Sequence, residues 1–363
     1  MEHKEWKTYR DTELEALMPL LDSLGITLED EQPHLMGERF LMQAVTTASG
    51  RKLILLGQGK DGTRVVVKAT RDPKGAEEIR HERACRALLL KIKFAYEVFH
   101  SPEELHFLES KGFTISVQRF IEQDSQFIDR PLKEQFSLSL SAFKAQEGTR
   151  ATTYGHLKEV RRSFGVYDAD TYIRAFSTFA DGIRRHGKDE GIDELLRTAE
   201  ARLKEEKDTI EQYTGFLTHT DFVPHNFRVV GDDIYLLDHS SLRFGNKYEG
   251  WARFLNFMAL YNPELEEALT EYVRINRAPE ELRSLTLMRI YRLGEIVWYY
   301  TRTLEACEGD LKTLNRSRVD FWAKMLAATL AGERLAPAEI AAYRAMRDSL
   351  RSEDEKRRQR ELH

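Results

Sequence analysis

The sequence predicts an α+β chain of two lobes, a small β-rich lobe followed by a larger helical one. Strand-favouring runs crowd between residues 39 and 122, helix-spaced apolar residues dominate from 129 onward, and one short hairpin is embedded among the helices. At 363 residues the chain is too long for one small core, so two lobes are the default. The expected bounds are an N-terminal helical extension over 1–38, a β-rich lobe over 39–122, a helical lobe over 123–350 and a charged tail over 351–363.

Taken in order, DTELEALMPLLDSLG (11–25) reads as a helix begun or interrupted at Pro19 and stopped by Gly25. Three strand-like runs follow, around LMQAV, KLILL and TRVVVKA, and Asp61-Gly62 between the last two is a hairpin turn signal. Lys68 closes the third run. Strand alternation sets it on the face of Val66 and roughly opposite Leu55. In the helix AEEIRHERACRALLLKI, Glu78, Glu82, Cys85 and Leu89 share one face, while Glu77, Arg80 and Arg83 lie on a solvated one. FAYEVF and GFTISVQ read as the fourth and fifth strands, and RFIEQD (119–124) links them to the helical part. There, segments such as DTYIRAFSTFADGIRR and ELRSLTLMRIYRLGEIVWYYTRTL carry i, i+3, i+4 apolar spacing.

Composition narrows the function. Hydrophobic content of 41% and charged content of 32% describe an ordinary soluble globular protein, and a net charge of −5 gives no support to a broad nucleic-acid or anionic-membrane surface. Cys85 and Cys307 are the only cysteines, too few for a disulfide framework or a cysteine-based zinc site. The N-terminus is too charged for a signal peptide, and no apolar run reaches the roughly 18 residues of a membrane span. A cytoplasmic setting fits.

The chemistry concentrates in FLTHTDFVPHNFRVVGDDIYLLDHSS (216–241). FRVV and IYLL flank Gly231-Asp232-Asp233, which reads as a hairpin centred near Asp232. Antiparallel pairing then sets Asn226 opposite Asp238 with Cα atoms about 4.5–5.5 Å apart. Two oxygen donors so placed suit a hard divalent cation such as Mg²⁺, which takes a few protein oxygens and fills its other positions with water and phosphate. Asp221, on a loop stiffened by Pro224, can face the same cavity and orient a hydroxyl or accept its proton. His219 is expected to hold that loop through a backbone hydrogen bond rather than to react. Asp and Asn are also ordinary turn residues; the order of the motif and the hairpin together make the stronger case.

HTDFVPHN followed by IYLLDHS resembles the catalytic and metal-binding segments of the aminoglycoside phosphotransferase and choline kinase family, with its protein-kinase-like fold. The resemblance implies ATP and Mg²⁺, Asp221 as catalytic base, and Asn226 and Asp238 as metal ligands. It implies that Lys68 neutralises phosphate charge and pairs with Glu82, or failing that Glu78. It also puts the turn TTASGRK over the nucleotide, with backbone N–H groups of Ser49, Gly50 and Arg51 as an anion nest. Hinge backbone at Phe120 and Glu122 would bind adenine. The likeness covers most of residues 39–330 and departs at two places. Val223 stands where protein kinases carry Lys and small-molecule kinases often carry His, and His239-Ser240 replaces Phe-Gly. Both departures point away from protein kinases.

Only about ten residues separate Asp238 from the helix beginning near Gly250, too few to dock a peptide. A small-molecule alcohol is the expected acceptor, with Glu249, Trp251, Glu295, Trp298 and Tyr299 as candidate pocket residues. Glu249 and Glu295 would favour an amine-bearing acceptor, whereas Arg289 and Arg292 would favour an anionic one. Two rival functions remain at this stage: a catalytically silent pseudokinase, and a kinase of RNA or protein.

Overall fold

The structure, a computed structural model, describes residues 2–30, 32, 51–91, 100–148, 154–186 and 189–351. Its smaller lobe is an antiparallel sheet of β1 (Ile26–Leu28), β2 (Leu53–Gly59), β3 (Arg64–Thr70), β4 (Glu104–Ser110) and β5 (Phe113–Arg119), in the order β1-β2-β3-β5-β4. Alternation along β3 buries Val65, Val67 and Ala69 on one face. There they pack with Leu53, Leu55, Ile115 and Val117 against Leu17, Leu20 and Leu21 of the N-terminal helix α1 (Glu2–Leu24). The opposite face, where Lys68 pairs in register with Ser116, meets helix α2 (Pro73–Lys91). Asp72 caps α2, accepting from the backbone N–H groups of Lys74 and Gly75, and Pro73 occupies its first turn.

Several expectations change here. α1 runs through Pro19, because burying three leucines outweighs the cost of an interior proline, about 3 kcal/mol for the lost hydrogen bond and the ring clash together. It ends at Gly25, whose φ of 73° lies in the left-handed region. Lys68 lies opposite Ile54 rather than Leu55, since the Asp61-Gly62 loop sets the register one residue away from that expected. The runs LMQAV and FAYEVF lie outside the described residues. β1 and β4 are strands that sequence patterning did not disclose.

The larger lobe is built from α3 (Leu132–Glu147), α4 (Tyr154–Phe164), α5 (Ala169–His186), α6 (Glu190–Glu205), α7 (Lys207–Gln212), α8 (Glu249–Tyr261), α9 (Pro263–Asn276), α10 (Pro279–Thr301), α11 (Gly309–Ala331) and α12 (Pro337–Ser349). α10 runs through its centre and packs on α5, α8 and α11. Two short antiparallel ribbons stand among the helices, β6 (Phe216–His219) with β9 (Leu242–Gly245), and β7 (Phe227–Val230) with β8 (Asp233–Leu236). Only the second was expected. Its register pairs Phe227 with Leu236 and Val230 with Asp233, so the turn holds two residues, Gly231 and Asp232, rather than three. Gly231 has φ 59°, as the first position of a II′ turn requires.

Candidate active site

The β7–β8 ribbon and the loop before it assemble the polar residues. The two-residue turn sets Asn226 across from Leu237, whose N–H donates to the Asn226 carbonyl at 2.8 Å. Asp238 therefore follows one residue later than the expected opposite position. The ribbon still ends with both donors at its open end.

Asn226 is buried, and its Nδ2 donates at 2.8 Å to both the carbonyl and Oδ2 of Asp221. Among the described residues nothing donates to its amide oxygen. Asp238 Oδ1 accepts from the Ser240 N–H (2.9 Å) and hydroxyl (2.6 Å), and Oδ2 accepts from the Ser241 hydroxyl at 2.9 Å. Burial alone would raise the Asp238 carboxyl. His219, Ser240, the Lys68 ammonium and Ser241 outweigh it and hold the group down to about 2, so it is a carboxylate at neutral pH. An open amide oxygen beside an ionised carboxylate is a donor set that fits Mg²⁺, which asks for few protein oxygens and leaves positions for water and phosphate.

His219 is fully buried, and burial lowers its pKa. Its Nε2 lies 2.6 Å from the Asp238 carbonyl, which can only accept, so Nε2 carries the proton. The ring ties the Asp221 loop to the end of β8, the backbone role expected for it.

Lys68 reaches from β3 to this ribbon. Its Nζ donates to Glu82 Oε1 and Oε2 at 2.8 and 2.7 Å and to the Leu237 carbonyl at 3.2 Å. Glu82 faces the sheet from α2; Glu78, one turn earlier, pairs instead with Lys52 at 2.5 Å. The hinge is organised by Arg64. Its carbonyl accepts from the Phe120 N–H at 2.9 Å, its guanidinium lies 4.2 Å over the Phe120 ring, and Nη1 reaches Glu122 at 3.3 Å. Gln123 then accepts from the Val229 N–H at 3.3 Å, linking hinge and ribbon. Arg51 lies over the Tyr9 ring of α1, whereas Ser49 and Gly50 lie outside the described residues.

The acceptor-pocket expectations need correction. Glu249 is fully buried, accepting from the Tyr172 hydroxyl at 2.6 Å and from Arg243 Nη2 at 2.5 Å, with Arg292 at 3.5 Å. Trp251 is buried and stacks on Phe143 with ring centres 4.2 Å apart. Both serve the core, because α8 presents their side to α3 and α10. Glu295 pairs with Arg292 at 2.5 Å, and Arg289 holds Glu266 at 2.6 Å, so neither arginine offers an anion site. Trp298 lies beside His186 and Gly182, and Tyr299 beside Tyr300 and Arg302, on the last turns of α10. A cavity of about 600 Å³ lies at that end, lined among others by Ile183, Arg184, Asp189, Thr301 and Asp320, and contains none of the residues around Asp238.

Sequence reasoning missed Arg253. From α8 its Nε donates to Asp221 Oδ1 at 2.8 Å. Nothing in the local sequence marks it, since the contact spans 32 residues.

No family description and no curated protein matches the sequence. Solved structures do. A thermostable variant of aminoglycoside phosphotransferase APH(4)-Ia, in ternary complex with AMP-PNP and hygromycin B, is 15% identical with a TM-score of 0.54, covering 79% of this chain and 97% of its own. Macrolide 2′-phosphotransferase MphH from Brachybacterium faecium is 15% identical with a TM-score of 0.53, covering 85% and 98%. A type I macrolide 2′-phosphotransferase is 13% identical with a TM-score of 0.55, covering 85% and 97%. A β-sheet lobe and a helical lobe meeting at a lysine–glutamate pair and a short ribbon define the protein-kinase-like fold. Within that class, this chain has the fold of the aminoglycoside and macrolide phosphotransferases.

Proposed function

We propose that the protein is an ATP- and Mg²⁺-dependent phosphotransferase that moves the γ-phosphoryl group to a hydroxyl of a small molecule. The observation that carries this reading is the convergence of Lys68, Asp221, Asn226 and Asp238 at one ribbon end, with the Asn226 amide oxygen open and Asp238 ionised. Asn226 and Asp238 would hold the metal, which when bound neutralises phosphate charge. Lys68, kept in place by Glu82, would neutralise more of it. Asp221 aligns the acceptor hydroxyl. The acceptor oxygen bonds to the γ-phosphorus as the bond to the β–γ bridging oxygen breaks, ADP leaves with that electron pair, and the hydroxyl proton passes to Asp221. Positioning and electrostatics supply most of the acceleration.

A small acceptor is favoured because the chain turns directly from Ser241 into β9, which pairs with β6 and leads into α8 at Glu249. No long segment remains there to dock a peptide. Arg289 and Arg292 are committed to carboxylates, so the acceptor is read as aminoglycoside-, amino alcohol- or sugar-like rather than anionic. A cytoplasmic setting, where ATP is plentiful, suits the reaction.

The test is a phosphate-transfer screen over aminoglycosides, amino alcohols, sugars and nucleosides, with Asp221→Ala as control. Turnover is expected to fall by about 10³-fold or more while Mg·ADP affinity stays within about threefold. Ordinary turnover in that variant would refute the role given to Asp221. Nucleotide binding with no transfer to any acceptor would favour the pseudokinase alternative.

A further inference from the structure

We propose that Arg253 is a catalytic arginine that works at two edges: Nε fixes Asp221, and the terminal amino groups take up negative charge on the transferring phosphoryl group. The inference rests on the phosphotransfer reading and deepens it. Arg253 Nε donates to Asp221 Oδ1 at 2.8 Å, and Asn226 Nδ2 donates to Oδ2 at 2.8 Å. The carboxylate is thus held from both sides before any ligand arrives. Among the described residues no hydrogen bond engages Nη1 or Nη2 of Arg253, although the side chain is only 19% exposed. A guanidinium drawn this far out of water, with one edge used, leaves its other edge for a group that enters the site.

Charge identifies that group. Asp221 must stand beside a phosphoryl group that is itself anionic, and two like charges in contact oppose each other unless a cation is shared between them. The loop supplies no lysine or arginine: Phe222 and Val223 are buried and apolar, and the half-buried His225 lies edge-on to the Phe257 ring. Lys68 is engaged by Glu82 and the Leu237 carbonyl, while Arg243 and Arg292 are engaged by buried Glu249. Arg253 touches the carboxylate and has donors to spare. Its planar fork can hold one anion on each edge, which a lysine's point charge cannot do in fixed geometry. Charge on the equatorial oxygens grows as transfer proceeds, so this contact strengthens in the transition state more than in the bound nucleotide.

Calorimetry with Mg·ADP, alone and with aluminium fluoride as a mimic of the transferring group, tests the assignment in wild type, Arg253→Gln and Arg253→Lys. The Gln variant should bind Mg·ADP within about threefold of wild type but lose affinity for the fluoride complex by about 30-fold or more, with kcat down by about 10³-fold and the KM for ATP little changed. The Lys variant should recover part of both losses. Equal affinity of wild type and the Gln variant for the fluoride complex overturns the proposal and leaves phosphotransfer standing. Loss of Mg·ADP affinity in the Gln variant also overturns it, because Arg253 would then serve the fold or the ground state. A wild type that binds neither complex overturns both readings.

Discussion

Lys68 and Glu82 show how much one contact decides. Their side chains are 14% and 9% exposed, so each charge relies on the other rather than on water. Removing Glu82 leaves a largely buried ammonium with the Leu237 carbonyl as its remaining hydrogen-bond acceptor among the described residues. Glu82→Ala is therefore expected to cost about 3 kcal/mol, the lower end for breaking a buried pair, in urea titration. Glu78→Ala, whose pair with Lys52 is 27% exposed on each side, should cost under about 1 kcal/mol. Equal losses would remove the distinction drawn between the two glutamates. The family resemblance named this pair, with Glu78 as the fallback, and the local patterns agreed with it, a strand carrying Lys68 and a helix face carrying both glutamates. Glu249 and Trp251 were misread for the opposite reason. What holds Glu249 is a hydrogen bond from Tyr172 and the charges of Arg243 and Arg292, brought together only by the fold, and no local pattern says whether a carboxylate will meet them. Arg253 was invisible on the same ground. The exact partner of Asn226 was missed by one position, since Gly-Asp-Asp does not state whether two or three residues form the turn.

At the scale of elements, the α5–α10 crossing rests on a reciprocal exchange of size. Gly182 of α5 faces the Trp298 ring, where an added Cβ would lie 2.7 Å from ring carbons, and Gly294 of α10 faces the Phe176 ring. Each helix offers a hollow to the other's large side chain, which lets the axes approach. Two effects oppose each other in Gly294→Ala. Alanine improves helix propensity by about 1 kcal/mol, whereas a methyl forced against a buried ring costs about 1–3 kcal/mol. Phe176 is fully buried and has little room to move, so net destabilisation of about 1–2 kcal/mol is expected, with Mg·ADP affinity unchanged. A variant as stable as wild type would mean the crossing opens easily. Helical periodicity announced both helices, but not which faces meet. β4 escaped notice because it is a half-exposed edge strand whose Glu104 and Glu109 pair with Arg83, Arg86 and Arg80 of α2, and its composition reads as loop.

Across the whole molecule, the described residues form two apolar clusters, one built by α1 and the sheet, the other by the helices of the larger lobe together with Cys85 and Leu88 of α2. Polar contacts at the β7–β8 ribbon join them. Lys68 reaches the Leu237 carbonyl, backbone at His100 bonds Ile234 and Leu236, Ser101 lies 2.7 Å from His239, and Gln123 meets Val229. A nucleotide bound as proposed would touch both lobes, so its binding energy should oppose their separation as well as the unfolding of either. At a free concentration 100-fold above Kd, linkage adds about 2.7 kcal/mol, enough to raise the melting temperature by several degrees. The proposed metal ligands make a sharper demand. Because Asn226 and Asp238 are read as the protein's whole contribution to the cation, most of the rise with ADP should depend on Mg²⁺ and vanish on adding EDTA. Asp238→Asn removes the charge but keeps the shape, and it should respond to ADP alike with or without Mg²⁺. If wild type is stabilised equally in EDTA, the metal has no place at the ribbon, and Asn226 and Asp238 must be explained as a hydrogen-bonded turn alone.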